Sequence, residues 1–315
     1  MNTSPTPDVP PEALHRRVLA WYDVHAPPPE ALHRRVLAWY DVHARDLPWR
    51  GDDATPWGVM VSEFMLQQTP VARVLPVWAA WMETWPTPAD LAAASTGESV
   101  RAWGKLGYPR RALRLHAAAT AIVEEHGGEV PAEHADLLAL PGVGDYTAAA
   151  IASFAFGRRH VVLDTNVRRV FARTISGIEF PGASVTRAER DLASSLLPDD
   201  TAAAWAVGVM ELGALVCTAT SPSCPRCPVE ELCAWRQAGH PAHDGPPRRA
   251  QTYAGTDRQC RGRLLDVLRA TDGPVAQRSL DQAWTDAEQR ERCLESLLHD
   301  GLLAALPGDM YALPS

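Results

Sequence analysis

The sequence has no apolar run long enough to cross a membrane, because Arg, Asp or Gly interrupts its longest hydrophobic stretches. Residues 1–10 also lack a basic segment followed by an apolar core, so no secretory signal is recognisable. Lys105 is the only lysine, and every other basic residue is an arginine. Arginine is the better donor to phosphates, but the bias by itself indicates little. These absences predict a cytoplasmic protein.

Charge, composition and length limit the possible partners and the number of domains. The 315 residues include 38 acidic and 30 basic side chains, and the formal net charge of −8 argues against a nucleic acid as partner. Hydrophobic residues make up 46% of the chain and charged residues 22%, a composition typical of folded proteins. The length allows two or three domains.

One segment occurs twice. Residues 10–26 recur without change at 28–44, and each copy has the pattern of one amphipathic helix, which Pro29 opens in the second copy. Only the second copy leads directly into residues 45–50. We therefore interpret residues 1–27 as a redundant extension and expect no functional extra helix there.

The rest of the chain divides by composition. Residues 56–233 have helical spacing almost throughout, and residues 237–257 are a proline-containing linker. Residues 258–315 have the pattern of three helices followed by strands at Leu302–Leu306 and Met310–Leu313. This order predicts a small winged-helix-like module.

Four of the six cysteines are clustered in one short segment. They are Cys217, Cys224, Cys227 and Cys233. A cytoplasmic protein rarely uses disulfides, so clustered cysteines indicate metal ligands. Zinc usually takes two tight pairs, and only one such pair is present, so the spacing favours an iron–sulfur cluster, with zinc as the alternative.

A glycine turn joins two predicted helices at 140–144. Gly142 and Gly144 allow a tight turn and a close backbone approach to a ligand. The helix predicted from Asp145 to Phe156 then presents free N–H groups at its start. A helix-hairpin-helix of this kind holds a phosphate without reading base sequence.

Asp164 follows a short β-like run, Val161–Leu163, and precedes a predicted helix at 167–175. Taken alone, Asp164 or Thr165 has the pattern of an N-cap. With the hairpin upstream and the cysteines downstream, we favour a functional carboxylate at this junction.

Glu63 lies in a helix predicted from Trp57 to Gln68, which Pro56 opens and Pro70 ends. Its neighbours are apolar, and burial among them would raise the pKa of its carboxyl group, as suits a general acid. The alternative is an exposed glutamate on a surface helix.

Residues 101–118 contain five basic side chains and no acidic one, in contrast to the acidic average. Leu106 and Tyr108 lie at a glycine-flanked turn in this stretch, where they could wedge into or stack on bases. A solvated basic helix is the alternative.

Several segments together resemble the MutY-type A/G-specific adenine DNA glycosylases of the helix-hairpin-helix superfamily, which includes endonuclease III. They are LPWR (47–50), VSEFMLQQTPV (61–71), LGY (106–108), LPGVGDYTAAAIASFAFG (140–157), VLDTNVRRV (162–170), MELGALVC (210–217) and the four-cysteine loop. The resemblance covers residues 28–236. It implies an all-α fold of two lobes, a six-helix barrel at 50–159 and a [4Fe–4S] lobe formed by 28–49 with 160–236.

The resemblance also implies catalytic roles. Glu63 matches the general acid that protonates the departing adenine at N7, and Asp164 matches the carboxylate that stabilises the cationic sugar. Asn166 and Tyr146 match supporting residues. Tyr146 stands where lyase members of the superfamily have a Schiff-base lysine, which implies a monofunctional glycosylase.

The remaining implied sites bind DNA, the base or the cluster. The duplex positions are Gln68, Leu106, Tyr108, Gly142 and Gly144; the adenine pocket is Trp49, Arg50 and Glu211; the cluster ligands are Cys217, Cys224, Cys227 and Cys233. The implied partner is duplex DNA with A·8-oxoguanine or A·G mispairs, bound by a monomer at the nucleoid. Many family members also have a MutT-like C-terminal domain, and residues 258–315 are too few to form one.

Two other functions compete with this one. A thymine or uracil mismatch glycosylase of the same superfamily would not need Glu63, because pyrimidines have no N7 to protonate. A non-catalytic iron–sulfur DNA-binding protein would need neither Glu63 nor Asp164.

Overall fold

The computed structural model describes residues 28–243, 245 and 253–315. The first copy of the repeated segment, at 10–26, lies outside the described residues, as does most of the second half of the linker. The chain divides into two compact units: Met1–Asp46 with Gly157–Pro246, here the cysteine unit, and Leu47–Phe156 with Pro247–Ser315, here the barrel unit. Among the described helices, none is both long and apolar enough to span a bilayer.

The fold is mostly helical, as predicted. The helices in chain order are α1 (Pro29–His43), α2 (Pro56–Leu66), α3 (Val71–Thr84), α4 (Pro88–Ala93), α5 (Thr96–Trp103), α6 (Arg110–His126), α7 (His134–Ala139), α8 (Asp145–Phe156), α9 (Thr165–Thr174), α10 (Arg187–Ser195), α11 (Ala202–Leu215), α12 (Ala234–Gln237), α13 (Asp257–Arg269), α14 (Gln277–Ala283) and α15 (Ala287–His299). The strands are β1 (Val275–Ala276), β2 (Ala304–Leu306) and β3 (Met310–Ala312).

Helix α2 is the buried helix of the barrel unit. Thr55 caps it by accepting a 3.0 Å hydrogen bond from the Gly58 N–H, and Pro56 occupies the first turn, where it needs no hydrogen bond. Its residues from Trp57 to Met65 are all buried. A helix that is apolar on every side must lie inside a core, so α2 is packed by the other helices of its unit. The helix ends at Leu66, two residues before the predicted end.

Residues 258–315 form a module of three helices and a three-stranded antiparallel sheet of order β1-β3-β2. The sequence indicated two strands; the third, β1, pairs Val275 with Tyr311 and is only two residues long, too short to show a period. Leu264, Leu280 and Leu297 of the module belong to the same hydrophobic core as the barrel helices. The module is thus packed into the barrel unit.

The cysteine unit has its own hydrophobic core. Helix α1 buries Leu32 and Val36 against α11, where Gly208 permits a close approach because a Cβ there would lie 3.3 Å from Val36 Cγ1. The run Val161–Leu163 is an irregular connection and not a strand, so that prediction is wrong. The side chains of Val161 and Leu163 pack on the helical core of the unit.

Candidate active site and cysteine centre

Glu63 lies in the middle of α2, and its side chain is only 6% exposed. Helix α2 packs along α8, and the Gln67 amide of α2 lies 3.5 Å from the Thr147 hydroxyl of α8. Tyr146, half-buried, is in the first turn of α8. The Glu63 carboxyl group is therefore largely shielded from bulk water.

Arg111 joins the end of α2 to the turn before α6. Its guanidinium, with the residue 7% exposed, donates to the carbonyls of Phe64 (2.8 Å), Gln67 (2.7 Å) and Gly107 (3.0 Å). These bonds satisfy carbonyls that a helix end leaves without partners. Burial lowers the pKa of Arg111 to about 10, so the group is still a cation at neutral pH.

Gln68 and Tyr108 are exposed residues predicted to contact the duplex, and both have left-handed backbone conformations. Gln68 has φ of 55° and Tyr108 has φ of 47°, which few residues other than glycine adopt. Tyr108 is 48% exposed, whereas Leu106 is 3% exposed and belongs to the core. The structure therefore presents Gln68 and Tyr108 at the surface, and the side chain of Leu106 lies inside the barrel.

The predicted hairpin joins α7 to α8. Gly142 has φ of 79°, and a Cβ at this position would lie 2.6 Å from Arg114 Cβ, so only glycine fits. Gly144 is exposed, and a Cβ there would meet no atom within 4 Å. The turn thus leaves Gly144 and Asp145, at the start of α8, exposed. Phosphate binding there stays a prediction.

Asp164 caps α9. Its Oδ1 accepts from the Val167 N–H at 2.6 Å, and its Oδ2 accepts from the Asn166 amide at 2.7 Å. Burial raises the pKa of Asp164, and these hydrogen bonds offset only part of that shift. The N-cap interpretation is therefore confirmed, and the carboxylate is held in a fixed orientation with a destabilised charge. Its role in catalysis stays a prediction.

A chain of hydrogen bonds runs from Asp164 to the cysteine loop. Asn166 accepts through Oδ1 from Arg169 at 2.8 Å, and Arg169 Nε donates to the Cys217 carbonyl at 2.7 Å. Gly213 of α11 lies against Asn166, where a Cβ would be 2.7 Å from Asn166 Cβ. The orientation of Asp164 is thus coupled to the start of that loop.

The residues expected around the adenine are buried to different extents. Trp49 is 5% exposed and its ring contacts Trp78 edge to face at 5.5 Å, while Arg50 is half-buried. Glu211 is fully buried in the cysteine unit and accepts from Arg45 Nε at 2.6 Å. The Glu211 carboxylate raises the pKa of Arg45. Glu211 therefore fixes the segment after α1, and a direct role at the base stays a prediction.

All four clustered cysteines line one cavity of the cysteine unit, whose apolar wall includes Val170, Leu212 and Val216. Burial, with a smaller contribution from the neighbouring thiols, raises the pKa of the Cys227 thiol to about 12. Among the described residues, no group of three or more His, Cys, Asp or Glu side chains is arranged to hold a metal ion. The four thiols nevertheless line the same cavity, so a set of sulfur donors is present in one place.

Arg173 braces the loop. Its guanidinium donates to the Thr218 carbonyl at 2.7 Å and lies 4.7 Å from the ring centroid of Trp235. Its NH1 is also 3.4 Å from Cys217 Sγ. Arg173 thus links α9 to the start of the cysteine loop.

Comparisons with known proteins show the family of this chain. A family model described as HhH-GPD superfamily base excision DNA repair protein matches residues 61–194. The adenine DNA glycosylase of Mycobacterium tuberculosis strain H37Rv is 56% identical over 272 residues, which cover 86% of this chain and 89% of that protein. The chain belongs to the adenine DNA glycosylase family.

Two further similarities support the assignment. The adenine DNA glycosylase of Mycolicibacterium smegmatis is 52% identical, with 94% of each chain covered. A solved thermostable thymine-DNA glycosylase superposes with a TM-score of 0.60 at 25% identity, over 67% of this chain and 97% of that one. The chain is therefore a DNA glycosylase with a helix-hairpin-helix fold.

Three arginines of this site were not singled out in the sequence. Arg111, Arg169 and Arg173 are each at most 8% exposed and donate mainly to backbone carbonyls. Local pattern does not distinguish a buried arginine from a solvated one, because the carbonyls it satisfies lie far along the chain.

Proposed function

We propose that this enzyme removes adenine mispaired with 8-oxoguanine or guanine from duplex DNA of the chromosome, by hydrolysis without a lyase step. The observation that carries the proposal is the enclosed Glu63 of α2, an acid that suits a purine leaving group. Base excision needs the nucleotide outside the stack, and a mispaired adenine leaves it at a lower cost than a paired one.

Glu63 protonates the adenine at N7 and so converts a poor leaving group into a neutral base. As the glycosidic bond breaks, positive charge develops on the sugar. Asp164 stabilises that charge, and its orientation is fixed by Val167 and Asn166. Water completes the hydrolysis at the sugar.

Tyr146 supports this chemistry from the first turn of α8. Its phenol cannot form a Schiff base with the sugar, and the one lysine of the chain, Lys105, lies elsewhere in the barrel unit, in the turn between α5 and α6. The product is therefore an abasic site in an unbroken strand.

The proposed specificity is tested by single-turnover cleavage of duplexes with A opposite 8-oxoguanine, A opposite G, and T opposite G. We expect adenine release from the first two and no release of thymine, because thymine has no N7. The likeness to the thymine-DNA glycosylase fold makes the T·G duplex the informative comparison. Release of thymine without adenine would reject the proposed function.

We propose that Cys217, Cys224, Cys227 and Cys233 hold a [4Fe–4S] cluster. When bound, the cluster would cross-link the loop and supply positive charge beside the thiolates. Hydrolysis of a glycosidic bond transfers no electrons, so the residues of this chain suffice for the chemistry. Arg173 would hold the loop in the shape that the ligands need.

The cofactor proposal predicts a brown protein with an absorption shoulder near ~400 nm. Cys227→Ser should lose this absorption, because serine is a poor ligand for iron, and the loop should become protease-sensitive. Cys293→Ser, in the core of the C-terminal module, is the matched control and should keep the absorption. A colourless wild-type protein with stoichiometric zinc would contradict the cluster.

A further inference from the structure

The C-terminal module is fixed to the barrel by polar contacts as well as by the shared core. Arg101 of α5 donates to the carbonyl of Leu268, at the end of α13, at 3.4 Å and to that of Thr271, just beyond the helix, at 3.0 Å. Arg269 Nε returns a bond of 3.0 Å to the Val100 carbonyl. These hydrogen bonds therefore fix the position of α13 against the barrel.

A groove of about 1010 Å³ lies between α13 and the segment 104–114 of the barrel. Its basic lining residues are Arg73, Lys105, Arg110, Arg111, Arg114, Arg258, Arg261, Arg263 and Arg269, and its acidic ones are Asp266 and Asp300. Nine bases against two acids is a strongly positive lining in a chain of net charge −8. Such a concentration of one sign focuses the field in the groove and attracts polyanions.

The two acids do not neutralise this lining. Asp300 already pairs with Arg261 at 2.6 Å and with Arg110 at 3.2 Å, and Asp266 lies 3.9 Å from Lys105. Because each acid is shared between bases, the groove keeps a surplus of positive charge. Arg258 and Arg263, both on α13, are exposed.

The groove is continuous with two features that already point to DNA. The Arg258 guanidinium of the module lies 5.5 Å from the ring centroid of Tyr108, the exposed left-handed residue of the barrel turn. At the other side, Arg114 lines the groove and packs against Gly142 of the hairpin. Grooves that bind nucleic acids combine basic side chains that follow the phosphate backbone with aromatic rings and arginines that stack on bases.

We propose that this groove binds the phosphodiester backbone of the DNA beside Tyr108, so that the C-terminal module is part of the DNA-binding surface. The inference rests on the proposed function. Arg258 and Arg263 of α13 then contact phosphates that the barrel alone cannot reach, and they do so without reading base sequence.

The test measures equilibrium binding of the full-length protein to a fluorescein-labelled duplex with a central A·G mispair, at several salt concentrations. Arg258→Ala/Arg263→Ala should weaken binding on the order of tenfold and should lower the slope of log Kobs against log salt by about 1 to 2, since each phosphate contact contributes about 0.9. Arg263→Ala alone should lower the slope by about 1, independently of the Tyr108 contact. Arg258→Lys/Arg263→Lys should keep most of the slope, because the charges remain.

Arg278→Ala is the matched control, because Arg278 is an exposed arginine of the same module and does not line the groove. A double alanine variant with wild-type affinity and slope would reject the groove as a DNA site. Equal losses of affinity and slope in Arg278→Ala would also reject it, since they would indicate a general charge effect. Competition by polyglutamate as strong as by duplex DNA would indicate an acidic protein partner instead. Adenine release by the wild-type enzyme is measured separately. If the wild-type enzyme releases adenine but the double alanine variant binds DNA as the wild type does, only this inference is contradicted and the proposed function stands.

Discussion

Glu63→Gln is expected to abolish adenine release while leaving DNA binding and folding intact. Glutamine has the shape of glutamate and fits the same buried position in α2, but it has no proton of suitable acidity to give to N7. Loss of a general acid typically slows the chemical step by roughly 10²- to 10⁴-fold. The single-turnover rate on an A·G duplex, at saturating enzyme, measures this step directly.

Glu83→Gln is the matched control, because Glu83 is an exposed glutamate of α3 in the same unit. It should cleave at the wild-type rate. A substrate with 7-deazaadenine gives an independent check, since it lacks the N7 that Glu63 protonates. A Glu63→Gln enzyme that releases adenine at nearly the wild-type rate would show that another group is the acid.

Asp164→Asn is expected to lower the single-turnover rate by roughly 10²- to 10³-fold, because a neutral amide cannot stabilise the developing sugar cation. The substitution should not unfold α9, since the asparagine oxygen can still accept from the Val167 N–H and asparagine is as good an N-cap as aspartate. Asp286→Asn is the matched control, because Asp286 also caps a helix, α15, by accepting from Gln289 at 2.9 Å. Wild-type cleavage by Asp164→Asn would overturn the assigned role.

The raised pKa of Asp164 gives this prediction a pH dependence. The ionised form is the active one, so cleavage should fall on the acid side at a higher pH than for an ordinary aspartate. Folding raises the pKa of this carboxyl group, so the free energy of unfolding falls as the pH rises through the range in which Asp164 ionises. The ionised side chain therefore destabilises the fold at neutral pH. Asp164→Asn removes that charge, and thermal melts at neutral pH should show a Tm equal to or above that of the wild type.

The agreement between sequence and structure is best where local rules decide. Helix α8 begins at Asp145 and ends at Phe156, the predicted bounds, because the glycine turn and the left-handed Gly157 mark both ends. Helix α2 ends earlier than predicted because Gln68 adopts a left-handed φ of 55°, and Arg111 satisfies carbonyls left at that end. The pairing partner of β1 is remote in sequence, and a strand of two residues shows no alternation, so the sequence could not reveal it.

In the candidate site, too, local sequence identifies some residues and cannot place others. Glu63, Asp164 and the four cysteines are marked by residue type, spacing and their resemblance to one family. Leu106 is different: the pattern placed it with the exposed turn, and packing placed its side chain in the core at 3% exposure. Whether an apolar residue in a turn faces solvent depends on neighbours from other helices, which a local pattern does not include.

The sequence by itself determined the helical class, the chemistry of the carboxylates and the clustered thiols, because these depend on residue identity and short-range spacing. Only the tertiary structure decided that Arg111, Arg169 and Arg173 are internal supports, and that the C-terminal module packs on the barrel with a basic groove between them. Burial of a cation, and the concentration of charge in a groove of an acidic protein, arise from contacts between residues distant in the chain. The net charge of the chain does not reveal these features, because it counts every charged residue equally, wherever that residue lies.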